Sequence, residues 1–410
     1  MQTFLEQAEF LSEQKNTHMT HIEDKVLYGG VNGTREAINA LRELRDMLAG
    51  KHKGKVSMKW DGAPAIFAGT DPSDGKFFVA KKGIFNKNPK VYKTKADVDA
   101  DTSGDLNTKL NAALEELPAL GIKGVIQGDF LFGPGDLAKK KIEGVSYVTF
   151  HPNTIVYAVP TDQAKDILNA RIGIVWHTTY IGDSFENMKA SYGVNVAGLK
   201  KSRKVWSQDA MLRDVSVATM NSSQTKTVDK HLSNAGKLFQ KIAGSTLREL
   251  EKHPELPQLI EQFNNTFVRK GEKIKDSRRH AIALQRWIEQ KFKKEEAKRT
   301  TDKGKKAQRE KLNAIMSFFS KKNTASLVAM FDLQKELVDA KLILISKLDT
   351  LSNISTFVQT SRGYHTTGAE GYVAIDKMSG GAVKLVDRME FSYNNFSPNI
   401  LKGWNKPSRN

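Results

Sequence analysis

The chain has 410 residues, enough for two or three domains and a full apolar core without cross-links. Cysteine is absent, which excludes disulfide frameworks, Cys-ligated zinc, iron–sulfur clusters and thiol nucleophiles. Lys and Arg number 64 against 46 Asp and Glu, and this net charge of +18 points to phosphate-rich or other anionic partners.

The first residues, MQTFLEQAEFLSEQ, carry Glu6, Glu9 and Glu13 inside their apolar stretch and do not read as a signal peptide. The longest apolar runs, such as residues 342–345, fall far short of the ~20 residues of a membrane span. The expectation is a soluble cytoplasmic protein with no membrane partner. Residues 34–48 have helical patterning. Short β-rich runs separated by Gly and Pro come next: AIFAG (65–69), KFFVA (76–80), GVIQGDFLF (124–132), TIVYAVP (154–160) and IGIVWHTTY (172–180), with a second helix at 107–117.

From about residue 205 to 351 the reading turns helical, with candidates at 226–243, 245–264, 276–299, 304–320 and 324–351. In the last, Leu327, Met330, Phe331, Leu333, Leu337, Leu342 and Ile345 give an apolar face, and Asn323 just before it reads as an N-cap. The stretch 293–311 is the most polar and reads as a solvated helix or a linker. Strand texture returns at 354–360, 371–376 and 382–387. The order β-rich, helical, β-rich predicts a helical domain (201–353) inserted into a β-containing core (1–200 and 354–410). Charge follows the same division. Residues 200–322 hold 30 Lys and Arg against 14 Asp and Glu, nearly the whole net charge.

The chemistry-bearing residues start at Lys59-Trp60-Asp61-Gly62, where a strand over 55–58 runs into a lysine and then a Gly-Ala-Pro turn. Lysine is a nucleophile only as the neutral amine, which desolvation or nearby positive charge favours. Alone, K-x-D-G arises by accident in about one protein of this length in ten. Its context is more specific. FFVAKKGIFN supplies Lys81, Lys82 and Gly83; VIQGDFLF supplies Gly128 and Asp129; TIVYAV supplies Tyr157, with Phe150 a second aromatic; EGYVAI supplies Glu370 and Gly371; AVKLVD supplies Lys384.

This ordered series resembles the motifs of the covalent nucleotidyltransferases: ATP-dependent DNA ligases, RNA ligases and mRNA capping enzymes. The likeness covers residues 56–160 and 354–388, and the whole chain also resembles proteins of large tailed phages of marine bacteria. The resemblance implies an α+β fold, a nucleotidyltransferase (ATP-grasp-like) core of antiparallel sheets split by a large helical insertion. It implies that Lys59 takes AMP from ATP, with Asp61 and Lys384 catalytic. Gly62, Lys81, Lys82, Gly83, Tyr157, Phe150, Glu370 and Lys384 would contact the nucleotide, one aromatic stacking on the purine. Asp129 and Glu370 would hold Mg²⁺, since magnesium takes one or two carboxylates plus phosphates and water.

Departures from the family pattern are Pro64 where ligases usually carry Arg, Asp129 for the more usual Glu, and Val386 where a second Lys is common. Only 26 residues follow Lys384, too few for the five strands of the C-terminal OB-fold usual in DNA ligases and capping enzymes. The nucleic-acid contact is then expected from the insertion, where Arg278, Arg279, Arg286, Lys291, Lys293 and Lys294 share one predicted helix. Phosphate neutralisation gives the sequence-independent affinity a ligase needs. Trp206, Trp287 and Phe292 read as core; His177, His280 and His365 read as structural or phosphate-adjacent. The leading expectation is a monomeric, ATP- and Mg²⁺-dependent DNA ligase acting on nicked duplex DNA in replication and repair, in the host cytoplasm if phage-encoded. RNA ligase, or a nucleic-acid-binding protein on a decayed core, are the alternatives.

Overall fold

The computed structural model describes residues 20–51, 56–212, 220–351, 354–375 and 382–404. The acidic N-terminal stretch and Lys55 lie outside them. The chain is a mixed α+β protein with three mainly antiparallel sheets and a helical body.

The first sheet runs β11 (Met211–Leu212), β1 (Val56–Lys59), β14 (Gly371–Ile375), β15 (Ala382–Leu385). The second runs β10 (Val205–Asp209), β8 (Ile172–Ile181), β4 (Val125–Phe132), β2 (Ala65–Thr70), β3 (Phe77–Ala80), with β9 (Lys189–Tyr192) also on β8. Its β8–β10 pair is parallel. The third runs β13 (Gly363–Thr366), β12 (Ser355–Thr360), β7 (Ile155–Pro160), β6 (Val145–Phe150), β5 (Ala138–Ile142), with β16 (Ile400–Leu401) on β12. The strands expected from sequence form with small shifts of boundary. Residues 205–212, expected to open the helical stretch, pair instead as β10 and β11. Trp206 rests there 6.0 Å from the Phe132 ring. Tertiary pairing, not local period, sets that segment.

The described helices of nine residues or more are α1 (Gly30–Leu48), α2 (Gly104–Glu116), α3 (Ser222–Lys241), α4 (Gly244–Lys252), α5 (Glu255–Lys270), α6 (Ser277–Ala297), α7 (Asp302–Phe318), α8 (Lys321–Leu348) and α9 (Arg388–Phe396). The run 245–264 is two helices, not one. His253 precedes Pro254 and is pushed out of helical geometry (φ −122°, ψ 82°), which ends α4. Asn323 does not cap α8; Ser320 holds that position. Asn323 lies buried in the first turn, its amide donating to Phe318 O at 2.8 Å and its carbonyl accepting from Thr246. The polar stretch 293–311 forms the end of α6, a turn and the start of α7, where Thr301 caps the helix by accepting from Gly304 N.

The helical body is not separated from the strands by a solvent gap. Helix α1, from the N-terminal segment, packs on α3, α4 and α8. One apolar cluster runs from Leu41, Leu232, Met330 and Leu344 to Tyr372, Val383 and Leu385 of the first sheet, then to Phe150 and Tyr157 of the third. A second cluster sits between α2 and the second sheet.

The N-terminal segment also bolts the helices to β15. Lys341 of α8, 1% exposed, donates to both carboxylate oxygens of Glu23 at 2.9 and 2.8 Å. Arg388 reaches Asp24 at 2.7 Å and Asn265 of α5 at 2.6 Å. Burial works to raise the Glu23 carboxyl, but Lys341 and the other cations around it hold it low, at about 2. His21 forms a backbone bridge to Lys384.

Candidate functional site

Strands β1, β14 and β15 are neighbours, and their register builds the centre of the site. Lys59 pairs with Gly371, so the side chain of Glu370 meets that of Lys59 and accepts its hydrogen bond across 311 residues of sequence. Lys384 pairs with Val373 on the other side of β14. At Gly371 an added Cβ would lie 2.5 Å from Leu385 O, so only glycine lets β15 approach here.

Burial pushes the Glu370 carboxyl up to about 7; Lys59 opposes this rise, while the charges of Asp61 and Asp129 add to it. Lys384 shifts the other way: burial and then the positive charge of Lys59 lower it, and Glu370 partly restores it. Two lysines and a carboxylate thus share a partly dehydrated space, where charged groups interact strongly.

The turn after Lys59 is stitched to β4 by Ala63 N donating to Phe130 O (2.9 Å) and Phe130 N donating to Pro64 O (3.0 Å). A Cβ on Gly62 would meet Asp129 Cβ at 2.6 Å. Gly62 therefore serves this close approach, which brings Asp129 to the Lys59 turn. Across β4, His177 of β8 places Nε2 3.5 Å from Asp129 Oδ2.

Three expected roles change. Asp61 is 4% exposed, and its carboxylate accepts from Asn153 Nδ2 (2.6 Å), Thr154 N (2.6 Å) and Ile155 N (2.8 Å). With its oxygens engaged it is a clamp that positions the turn, not a group free for proton transfer. Tyr157 and Phe150 are each 1% exposed, so neither offers a face to a purine. They stack on one another at 5.4 Å, Tyr157 packs 4.9 Å from Trp60, and its hydroxyl accepts from Asp61 N at 2.6 Å. Burial drives the Tyr157 phenol well above its ordinary range.

Lys81 ion-pairs with Asp101 at 3.5 Å and lies over the Tyr92 ring, while Lys82 is exposed and Gly83 is half-buried in a single 3₁₀ turn. The β3 ladder ends at Ala80, opposite Phe67, so these three residues follow the strand as a turn.

Three residues take places at the site that the sequence did not assign, His177 having read only as structural or phosphate-adjacent. His177 is the extra residue of a β-bulge: Gln127 pairs with Thr178 but Gly128 pairs with Trp176, which leaves His177 unopposed beside Asp129. Its position after Trp176 in a β-rich run gave no sign of the bulge. Trp60 is 7% exposed and its indole N–H has no acceptor, an orphan donor one residue from Lys59. Lys402, lowered by burial, donates to Thr154 Oγ1 at 2.9 Å behind the Asp61 clamp.

Of the basic residues on α6, Arg278, Arg279, Arg286, Lys293 and Lys294 are exposed. Lys291 turns to Gln262 (3.0 Å) and lies 5.3 Å over the Trp287 ring. Phe292 is buried core. So is His280, which contacts Asn264 Oδ1 at 2.8 Å; burial lowers it to about 4.

Among the described residues, no group of three or more His, Cys, Asp or Glu is arranged to hold a metal. The donors at the site are Asp129 with His177 opposite, and Glu370 engaged by Lys59. This set fits an ion that takes its remaining ligands from phosphate and water. No described helix is long and apolar enough to cross a membrane. A family model described as a family of unknown function, DUF6267, matches residues 16–400, so the chain belongs to that family. No curated protein and no solved structure matches it.

Proposed function

We propose that this member of the DUF6267 family is an ATP-dependent polynucleotide ligase that seals 5′-phosphate/3′-hydroxyl nicks in DNA through AMP carried on Lys59. One observation carries the reading: the convergence of Lys59, Glu370 and Lys384 on three adjacent strands, with the charge of Asp129 felt at Glu370. These are the residues that the ordered motifs single out.

In this reading the Lys59 ammonium gives a proton to Glu370, whose raised carboxyl is poised near neutrality to accept it. Nζ then attacks the α-phosphorus of ATP. The N–P bond forms as the P–O bond to pyrophosphate breaks. Lys384 balances charge on the phosphate oxygens. Asp129 would hold a divalent ion, which would supply Lewis-acid neutralisation of the triphosphate. AMP next moves to the 5′-phosphate of the nick, and the 3′-hydroxyl displaces it. The division into a core and a basic helical body belongs to the same reading, with the body starting after β11 rather than at residue 201 and the exposed α6 cations gripping phosphates.

Two observations favour other readings. The Lys81-Lys82-Gly83 turn directly after β3 suits an RNA ligase. The burial of both candidate purine shelves suits a nucleic-acid-binding protein that has lost catalysis.

The test is covalent labelling with ATP or GTP carrying ³²P at the α-phosphate, with Lys59→Ala as control. Label from ATP alone, lost in the variant, supports adenylyl transfer. Label from GTP moves the reading to capping. No label, from protein free of bound AMP, removes the enzyme and leaves the binding protein. Competition among nicked DNA, a nicked RNA·DNA hybrid and single-stranded RNA then separates the two ligases.

A further inference from the structure

We propose that His177 is a nitrogen ligand for the divalent ion beside Asp129, and that it makes this site favour a transition ion such as Mn²⁺ over Mg²⁺. This rests on the nucleotidyl-transfer reading above, within which it assigns a residue that the motif series does not contain.

The backbone supplies the first argument. Strand β8 spends one residue on a bulge opposite the Gln127–Gly128 step, and that residue is His177. A bulge costs a ladder position and re-aims one side chain, and bulges collect beside functional sites. Here the neighbours Trp176 and Thr178 are buried and His177 is half-exposed. Its carbonyl stays paired, accepting from Gly193 N at 2.7 Å, so the ring is re-aimed without stranding the backbone.

Hydrogen bonding supplies the second. His177 Nδ1 lies 2.8 Å from Thr178 Oγ1. With Nδ1–H donating to that hydroxyl, Nε2 carries the lone pair, and it faces an Asp129 oxygen 3.5 Å away. Two lone pairs at that distance repel unless a proton or a metal ion lies between them, and the site offers both groups to either. Cis ligands about 2.1 Å from a metal sit about 3 Å apart, so a small approach of the two side chains completes the geometry. A partner on the second ring nitrogen is the usual companion of a metal-bound histidine.

The ligand set supplies the third. The close packing of Gly62 against the Asp129 Cβ keeps that carboxylate on β4 beside the bulge. An imidazole beside the carboxylate suits first-row transition ions better than Mg²⁺, and Mn²⁺ is the transition ion that also takes the carboxylate, phosphate and water oxygens of such a site. The remaining positions belong to phosphate oxygens and water.

The experiment uses the full chain with Mn²⁺ as probe, with and without a non-hydrolysable ATP analogue. Loss of the free-Mn²⁺ electron paramagnetic resonance signal measures binding, and pulsed measurements detect histidine nitrogen coupled to the bound ion. The expected result is nitrogen coupling in the wild-type chain, lost in His177→Ala. That variant should lose Mn²⁺ affinity by about ten-fold or more and Mg²⁺ affinity far less. Lys59→Ala, which cannot carry AMP, should bind Mn²⁺ like wild type. Wild-type Mn²⁺ affinity in a folded His177→Ala chain would overturn the proposal. So would bound Mn²⁺ without nitrogen coupling in the wild type, which also covers a variant that fails to fold. Nitrogen-coupled Mn²⁺ in a chain that never labels with ATP would uphold the site while removing the ligase reading.

Discussion

The strand-borne cluster and the basic face of α6 are both rich in lysine, yet they are built in opposite ways. Lys59, Glu370 and Lys384 come from distant parts of the chain, meet only through strand register, and are dehydrated enough that Glu370 and Lys384 shift. The α6 cations lie along one helix and face water. The first arrangement gives each residue a specific job that its neighbours cannot take over. The second spreads its effect over many interchangeable, salt-screened charges. Removing one residue should therefore abolish function in the first region and only graded loss should follow in the second.

Lys59→Ala gives the largest expected effect, complete loss of self-adenylylation and of sealing from ATP; persistence of label would displace the nucleophile to another residue. Glu370→Gln should slow self-adenylylation by about 10²–10⁴ in single-turnover labelling. Its pH dependence sharpens the assignment. Because the folded Glu370 carboxyl is raised to about 7, its proton-accepting form grows as pH rises through 7. The wild-type rate should climb across that range and level above it, and Glu370→Gln should lose the inflection. By the same sign, any stability that the raised Glu370 contributes is lost as pH rises through 7.

Asp61→Ala probes the clamp rather than the chemistry. It leaves the donors of Asn153, Thr154 and Ile155 unpaired in a buried site and should cost about 3 kcal/mol in denaturant unfolding. Unchanged stability would return Asp61 to a catalytic role. Reversing Arg278, Arg279, Arg286 and Lys293 should weaken nick binding and flatten its salt dependence, each lost phosphate contact lowering the slope by about 0.9. Self-adenylylation should survive intact; wild-type nick affinity would take α6 out of the interface. The smallest effect belongs to Tyr157→Phe, which loses the hydrogen bond from Asp61 N and should cost about 1 kcal/mol.

The β-rich and helical texture, and the order of the acidic, basic and glycine residues that flag the site, were legible in the sequence by itself. Period-2 and helical patterns are local properties, and a strand such as 124–132 or a helix such as 276–299 declares itself within a dozen residues. Helix breaks follow local rules too, and the stop at His253–Pro254 was there to be read. What surrounds each side chain was decided elsewhere. Tyr157 and Phe150 sit in an unbroken apolar core because the third sheet turns that face inward. Asp61 is a clamp because residues 153–155 are folded onto it. His177 meets Asp129 only because β8 bulges against β4, and His21 joins β15 only because Lys341 and Arg388 are buried against Glu23 and Asp24. Each of these depends on contacts between segments far apart in the chain, and local patterning carries no information about which segment will lie opposite.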